Sequence, residues 1–256
     1  MGYIDLHCHI LPGIDDGSPD METSLGLAKA AVENGIEYAL LTPHHMNGRY
    51  VNHRNDVLRY TSEFKRKLEE NNIPLKVFPG QEVRINGDLL EAIDNDDILY
   101  ADEDNTYMML EFPSEDVPAY TEKMIFQIIS RGITPVIVHP ERNTAIINDP
   151  TKLERLLNSG CLTQITASSY VGTFGKTVQE FTERLIAAGQ GVTFASDAHA
   201  LAKRDYELDQ AYKKMSKEFG VDKAREYQDN AKAIINGEPV QMYWKPIKKK
   251  KRFWLF

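Results

Sequence analysis

Seven short runs of apolar, β-branched or aromatic residues punctuate this sequence, at 3–9, 38–44, 75–83, 107–113, 134–140, 162–169 and 191–199, with helical patterns between most of them. This alternation constrains the fold more than any other feature. Runs of this length suit buried strands. Several are near-continuous rather than alternating in polarity, as expected of parallel strands covered on both faces. The pattern predicts an α/β protein with a closed, barrel-like sheet, an open doubly wound sheet being the alternative. Between the first two runs, Leu25, Ala28, Ala31 and Val32 share one face of a helix over 19–34, with Ser18 as N-cap, Pro19 in the first turn and Gly35 as the stop. Similar patterns cover 54–71, 116–131, 150–158, 176–189, 205–219 and 222–236, and the acidic link 84–106 holds a short helix at 88–92. No linker or fixed repeat divides the chain, so residues 1–244 read as one domain and 245–256 as a tail.

A chain of 256 residues buries enough apolar surface to fold without disulfides. Its two cysteines, Cys8 and Cys161, are far apart and in no C-x-x-C pair, which points to a reducing, cytoplasmic compartment. No basic region followed by an apolar run suggests a signal peptide, and no stretch approaches a membrane-spanning length. The net charge of −8 argues against nucleic acid as a general partner. Within that total, KPIKKKKRFWLF at 245–256 carries six positive charges and no acidic residue, leaving −14 on the rest. Such a basic, aromatic tail suits peripheral contact with an anionic membrane, the alternative being a solvated extension.

The chemistry is written at the ends of the runs. The first ends at His7 and His9, the second at His44 and His45, the third at Glu82, the fourth at Glu111, the fifth at His139 and the seventh at Asp197 and His199. In β/α barrels, active sites are assembled at the C-terminal ends of the strands. Residues two apart on a strand share a face, so His7 and His9 can both reach the barrel mouth, as can Asp197 and His199. Asp16, in the loop after the first run, can reach the same place. A lone histidine or glutamate at a strand end is an ordinary structural residue, but six strands delivering such groups to one end are not explained that way. Crowded imidazoles and carboxylates repel or stay unpaired unless cations join them. Nine candidate ligands follow: His7, His9, Asp16, His44, Glu82, Glu111, His139, Asp197 and His199. They exceed the needs of one ion and suit two or three, with bridging carboxylates. Nitrogen and oxygen donors fit Mn²⁺, Fe or Zn²⁺ and exclude a thiolate-based structural zinc site.

Two familiar phosphate-handling motifs fail on spacing. A cysteine phosphatase needs an arginine six positions after its thiolate, but Ile14 and Ala167 stand there. Cys8 should instead point away from its histidine neighbours, into packing. GTFGKT at 172–177 is no phosphate-binding P-loop, because Tyr170 replaces the required earlier glycine. It reads as a structural or substrate-facing loop near the site entrance.

The motifs IDLHCHILPGIDDG, LTPHH, GQEVRI, LEFP, VIVHPERN, QIT-x-x-S-x-x-G-x-FGK and FASDAH, in this order over residues 4 to 199, resemble the PHP (polymerase and histidinol phosphatase) superfamily. Within it the chain looks like the bacterial manganese-dependent tyrosine-protein phosphatases of capsule and exopolysaccharide synthesis. The resemblance implies a distorted (β/α)7 barrel with its metal site at the C-terminal strand ends. It implies the same nine ligands, with His45 lining the pocket or supporting a ligand. It implicates Arg142 and Arg204 in gripping the substrate phosphoryl group, and two or three ions, Mn²⁺ foremost. The implied substrate is a phosphotyrosine protein, in this family a membrane-associated bacterial tyrosine kinase. A small-molecule phosphatase of the histidinol-phosphate type is the alternative within the fold. A PHP nuclease is disfavoured by the acidic body, and an inactive binding module by the complete ligand set.

Overall fold

The computed structural model describes residues 2–200 and 204–247. In chain order its elements are β1 (Tyr3–Cys8), α1 (Met21–Glu33), β2 (Ile36–Leu41), β3 (His44–His45), α2 (Arg54–Glu70), β4 (Lys76–Pro79), β5 (Glu82–Arg84), α3 (Leu89–Asp94), β6 (Tyr107–Glu111), α4 (Thr121–Ile129) and β7 (Thr134–Val138). A single 3₁₀ turn (Pro140–Arg142) precedes α5 (Thr144–Asn148), α6 (Thr151–Asn158), β8 (Leu162–Thr166), α7 (Ala167–Val171), α8 (Lys176–Ala187), β9 (Thr193–Ala195), α9 (Leu208–Phe219) and α10 (Val221–Ile235). The α/β alternation is therefore observed, and every strand pair is parallel.

The strands hydrogen-bond in the orders β1-β2-β4 and β3-β5-β6-β7-β8-β9. Among the described residues the seven apolar runs yield nine strands, because two runs break. Pro43, which has no N–H to give a ladder, separates β2 from β3, and Gly80-Gln81 separates β4 from β5. The two broken runs stay side by side, with Gly80 N–H donating to Leu41 O (2.9 Å) and Glu82 N–H to Pro43 O (3.1 Å). The first strand also meets the segment after the last. Asp197 N–H donates to His7 O (2.8 Å), and His9 N–H to Ala198 O (2.9 Å).

Strand pleating sorts the interior into two clusters. Met108, Leu110 and Ile137 face the helices with Phe64, Ile125 and Leu185. Tyr107, Met109, Val136, Val138, Leu162 and Ala195 form the other cluster with Ile4 and Leu6. Successive side chains alternate across a strand, so continuing the second set towards the strand ends leads to Glu111, Gln164 and Asp197.

Some local expectations shift. The N-cap of α1 is Asp20, whose carboxylate accepts from Thr23 N–H (2.8 Å); Ser18 is buried and bonds Ser24 instead, and Pro19 lies before the helix. Gly35 follows α1 with φ +85°, the left-handed conformation of a helix stop. The sixth run ends as a strand at Thr166, because α7 starts at Ala167. The short α5 is capped by Asn143, whose Oδ1 accepts from Ile146 N–H (3.0 Å).

After α10 the chain crosses the pole where the strands begin. Tyr107 Oη donates to Glu238 O (2.7 Å), Lys245 N–H to Ala188 O (2.9 Å), Gln190 Nε2 to Lys245 O (3.0 Å) and Ile247 N–H to Glu154 Oε1 (2.8 Å). The start of the expected tail, Lys245–Ile247, is thus hydrogen-bonded to the body. Its remainder, 248–256, lies outside the described residues. Among the described residues no helix is long and apolar enough to cross a membrane.

Phe64 is fully buried on the inner face of α2. Phe64→Ala is expected to lower the unfolding free energy by about 3–5 kcal/mol through lost transfer energy and a residual cavity, read as a reduced urea midpoint with an unchanged slope.

Candidate metal centre

All nine singled-out side chains converge at the C-terminal ends of the strands. They form four overlapping groups: His7, His9 and Asp197; His7, Glu82 and His139; His44, Glu82 and Glu111; and His9, Asp16, His44 and His199. Within each group the donor atoms lie within 4.8 Å of one another. His7 and His9 leave β1 on one face, and their Nε2 atoms stand 3.0 Å apart. Glu82 Oε2 and Asp197 Oδ1 lie 3.3–3.5 Å from both nitrogens. Metal–ligand bonds of about 2.0–2.2 Å place neighbouring donors about 3.0–3.5 Å apart around one ion, so these four atoms have the spacing of a single coordination shell. Beside them, His44 Nε2 lies 3.3 Å and His199 Nε2 3.7 Å from Asp16 Oδ1. His44 Nδ1 approaches Glu82 Oε2 at 2.8 Å, and His139 Nε2 meets Glu82 Oε1 at 2.7 Å.

The donor atoms fit cations better than hydrogen bonds. His44 Nδ1, Glu82 Oε2 and His199 Nε2 are buried without a hydrogen-bond partner among the described residues, an arrangement that is costly unless something else occupies their lone pairs. Burial and then the Arg142 charge lower His139 to about 4, and burial and His9 lower His199 to about 3. Both rings are therefore neutral at pH 7 with a free lone pair. Burial opposes charge on His9, but Asp15, Asp197 and Glu82 outweigh it and raise the ring well above its ordinary value. Carboxylates likewise raise His44 to about 9, so the centre is a place where positive charge is stabilised.

Two ligand candidates sit on unusual backbone. His139 (φ 37°) and Asp197 (φ 53°) are left-handed, a conformation that costs of order 1–3 kcal/mol outside glycine and clusters at functional sites. Alternation alone would turn His139 away, because Val138 already faces the inner cluster; the turn redirects it. Gly17, closing the IDDG motif, is required by contact. A Cβ there would lie 2.0 Å from the His9 carbonyl oxygen.

Supporting residues outside the nine candidates hold the donors. Gln164 Oε1 accepts from His7 Nδ1 (2.9 Å), which leaves Nε2 free to face the centre. Asp15 does the same for His9 Nδ1 (2.7 Å) and also accepts from His44 N–H (3.1 Å). Asp5 anchors the segment leading to Asp197 through Ser196 N–H (2.8 Å) and Oγ (2.5 Å). Arg84 Nε donates to Glu111 Oε2 (2.7 Å). Gln164 was detectable from its alternation with Leu162, and Asp15 from the IDDG doublet; Asp5 and Arg84 carried no signal that set them apart.

Arg142 and Arg204 both reach Asp197 Oδ2, the latter at 2.6 Å. Burial tends to raise the Asp197 carboxyl, but the two guanidinium groups outweigh it and hold Asp197 well below the carboxylate range. The Nε atoms of both arginines are buried without partners among the described residues. Both line the cavity of about 420 Å³ onto which His44, Glu82, Glu111, His139 and Asp197 open. Phe174 of the GTFGKT loop lies under Arg142, 5.1 Å from Cζ to ring centroid, which gives that loop its site-facing part.

His45 departs from expectation. It is buried away from the donor cluster, edge-on to His53 (5.9 Å between centroids), and lines a separate cavity. The strand alternation that sends His44 inward sends its neighbour outward. Cys8 points away as expected, its Sγ donating to Leu40 O (3.4 Å). Burial pushes the Cys8 thiol well up and the Cys161 thiol to about 12, so neither is a thiolate nucleophile.

A parallel α/β fold whose strand ends gather nine imidazole and carboxylate side chains beside two arginines defines a class of His/carboxylate-centred α/β proteins. Within it, the chain belongs to the capsular polysaccharide synthesis CpsB/CapC family, whose model matches residues 3–236. It is 37% identical to the tyrosine-protein phosphatase YwqE of Bacillus subtilis (strain 168), over 99% of this chain and 100% of the relative. It is 28% identical to the tyrosine-protein phosphatase CpsB of Streptococcus agalactiae serotype V, over 91% of this chain and 98% of the relative. A crystal structure from work on YwqE and Streptococcus pneumoniae CpsB, described as unique metal-dependent tyrosine phosphatases, superposes with a TM-score of 0.92 at 37% identity, covering 96% of this chain and 100% of that one.

Asp15→Asn is expected to lower Mn²⁺ affinity about 10–100-fold, the usual effect of losing an outer carboxylate that orients a ligand histidine. Cys8→Ser should leave affinity within about twofold. Calorimetric titration of the metal-stripped protein reads both.

Proposed function

We propose that this protein is a metal-dependent protein-tyrosine phosphatase of capsule or exopolysaccharide synthesis, acting in the cytoplasm on a membrane-associated bacterial tyrosine kinase. In this reading residues 1–244 form one catalytic domain of the PHP type. Its nine strands count as seven staves of a distorted (β/α)7 barrel, which the β1 contacts of Asp197 and Ala198 support as the closing seam. His7, His9, Asp16, His44, Glu82, Glu111, His139, Asp197 and His199 hold two or three divalent ions, Mn²⁺ foremost. When bound, such ions supply Lewis acidity towards phosphate oxygens and a water nucleophile at neutral pH.

The observation that carries the reading is the pairing of six of those donors (Asp16, His44, Glu82, Glu111, His139 and Asp197) with two arginines in one cavity. Arg142 and Arg204 each keep a buried Nε without a partner among the described residues, and a phosphoryl oxygen is the acceptor an arginine fork matches. Asp197 fixes both guanidinium groups through Oδ2 while Oδ1 faces the histidines. Its carboxylate thereby sets the distance between phosphate grip and metal ligands. The phenolate of phosphotyrosine leaves readily, so the reaction asks little of a general acid.

The purified protein should contain two or three transition-metal ions per chain and hydrolyse phosphotyrosine peptides only with metal present. Histidinol phosphate and single-stranded DNA serve as the competing substrates. Faster turnover of either would overturn the assignment. Arg142→Ala should lower turnover about 10²–10³-fold, the scale for one preorganised donor at a transition state, with metal content near wild type by elemental analysis. Parallel loss of metal would make Arg142 a support for Asp197 instead.

The basic segment is proposed to bring the enzyme to the anionic surface where its kinase substrate sits. Because Lys245–Ile247 is hydrogen-bonded to the body, truncation belongs after Ile247. That variant should hydrolyse a soluble phosphotyrosine peptide as the intact protein does and lose sedimentation with phosphatidylserine vesicles. Binding by the intact protein should weaken with salt, since exposed charges are screened over about 8 Å at physiological ionic strength.

A further inference from the structure

A second cavity, of about 520 Å³, adjoins the metal pocket. Asn47 and Arg84 line both, so the two share a wall. Nothing in the proposed reaction uses this second space. Much of its lining is aliphatic, from Met46, Val51, Ala92 and Pro113. Val51 is 58% exposed, and its exposure does not come from a loose loop. Asn86 Nδ2 donates to Met46 O (2.9 Å), and Asn47 Oδ1 accepts from Arg49 N–H (3.0 Å) and Tyr50 N–H (2.7 Å). Asn52 Nδ2 donates to Ile14 O (3.0 Å) and His44 O (2.8 Å). Tyr50 lies nearly parallel to the His44 ring, 6° from coplanar at 6.2 Å. These ties hold the left-handed backbone of Met46 (φ 61°) and Gly48 (φ 86°) in place. A loop anchored this way to a metal-ligand candidate keeps an aliphatic side chain in water beside the active pocket. At the back of the cavity, His45 is 1% exposed, and neither of its ring nitrogens has a hydrogen-bond partner among the described residues.

We propose that this second cavity is the subsite for the residue flanking the phosphotyrosine of a polypeptide substrate, and that it selects an aliphatic residue there. The inference rests on the phosphatase reading and adds the substrate's sequence preference to it. With the phosphoryl group between Arg142 and Arg204, a polypeptide chain leaving the pocket past Asn47 and Arg84 meets Met46, Val51 and Ala92. Asp88 and Asp97 share the lining with Arg84 and His53, and His53 pairs with Asp97 at 2.6 Å, so an uncharged flank suits the cavity. A small phosphomonoester has no group to place there, so the subsite distinguishes a protein phosphatase from a metabolite phosphatase.

The test uses the full chain loaded with Mn²⁺, p-nitrophenyl phosphate, and phosphotyrosine peptides carrying Leu or Ser at the two positions on each side of the phosphotyrosine. Wild type should prefer one Leu peptide over its Ser counterpart about tenfold in kcat/KM, the lower end of what a filled apolar pocket discriminates. Val51→Asp should cut that preference to about twofold by raising KM, leaving p-nitrophenyl phosphate kinetics within about twofold. Equal rates for Leu and Ser peptides at every position, with p-nitrophenyl phosphate turned over normally, would overturn the subsite alone. So would a Val51→Asp defect of equal size on p-nitrophenyl phosphate. Failure to hydrolyse any of these substrates would overturn the phosphatase reading and the subsite with it.

Discussion

The Asp197 carboxylate is the interaction on which the rest of the centre depends. One oxygen lies 3.5 Å from the Nε2 atoms of both His7 and His9, and the other takes Arg142 and Arg204. Its backbone N–H bonds the His7 carbonyl, joining the first strand to the segment after the last. A buried carboxylate with so many partners is stabilised as the anion despite its desolvation. Two functions thereby share one side chain: collecting the nitrogen donors and fixing the arginines. Its left-handed backbone is tolerated because Asp5 pins Ser196, the residue before it.

Around this pivot the protein spends its polar residues on orientation. Gln164 and Asp15 each occupy the outward nitrogen of a histidine, so that the inward nitrogen is the free one. A ring with no partner at Nδ1 can rotate or change tautomer; one held at Nδ1 presents Nε2 in a fixed direction. Arg84 secures Glu111 from the cavity side. The helix-facing cluster, centred on residues such as Phe64, Ile125 and Leu185, supplies the rigidity these contacts need, because close-packed interiors resist the small displacements that would spoil ligand spacing.

Much of this was legible before any coordinates. Strand–helix alternation carries the α/β class, since the length and apolar character of each run follow from burial on both faces. The strand ends carry the donor set, since a side chain at a strand terminus has few places to point. The broken runs were less legible. Pro43 and Gly80 divide strands without changing the hydrophobic pattern, so seven runs become nine strands. Helix ends shifted for a similar reason: Ser18 and Asp20 are both good caps, and the choice fell to Asp20 because Ser18 is held by Ser24 in the interior.

The sequence by itself determined which chemical groups meet at the strand ends, because period-two alternation and strand position are local properties. That is why His7, His9, Glu82, Glu111 and Asp197 could be named from their runs. Tertiary structure alone decided which partner each group takes. The pairing of Gln164 with His7 spans 157 residues, and that of Ser196 with Asp5 spans 191; no local pattern encodes contacts at such separations. It also decided that His45 packs beside His53 against the neighbouring cavity, and that His139 is swung inward by a left-handed turn. Those outcomes depend on where strands from opposite ends of the chain lie beside one another. Chain connectivity leaves that open until packing closes it.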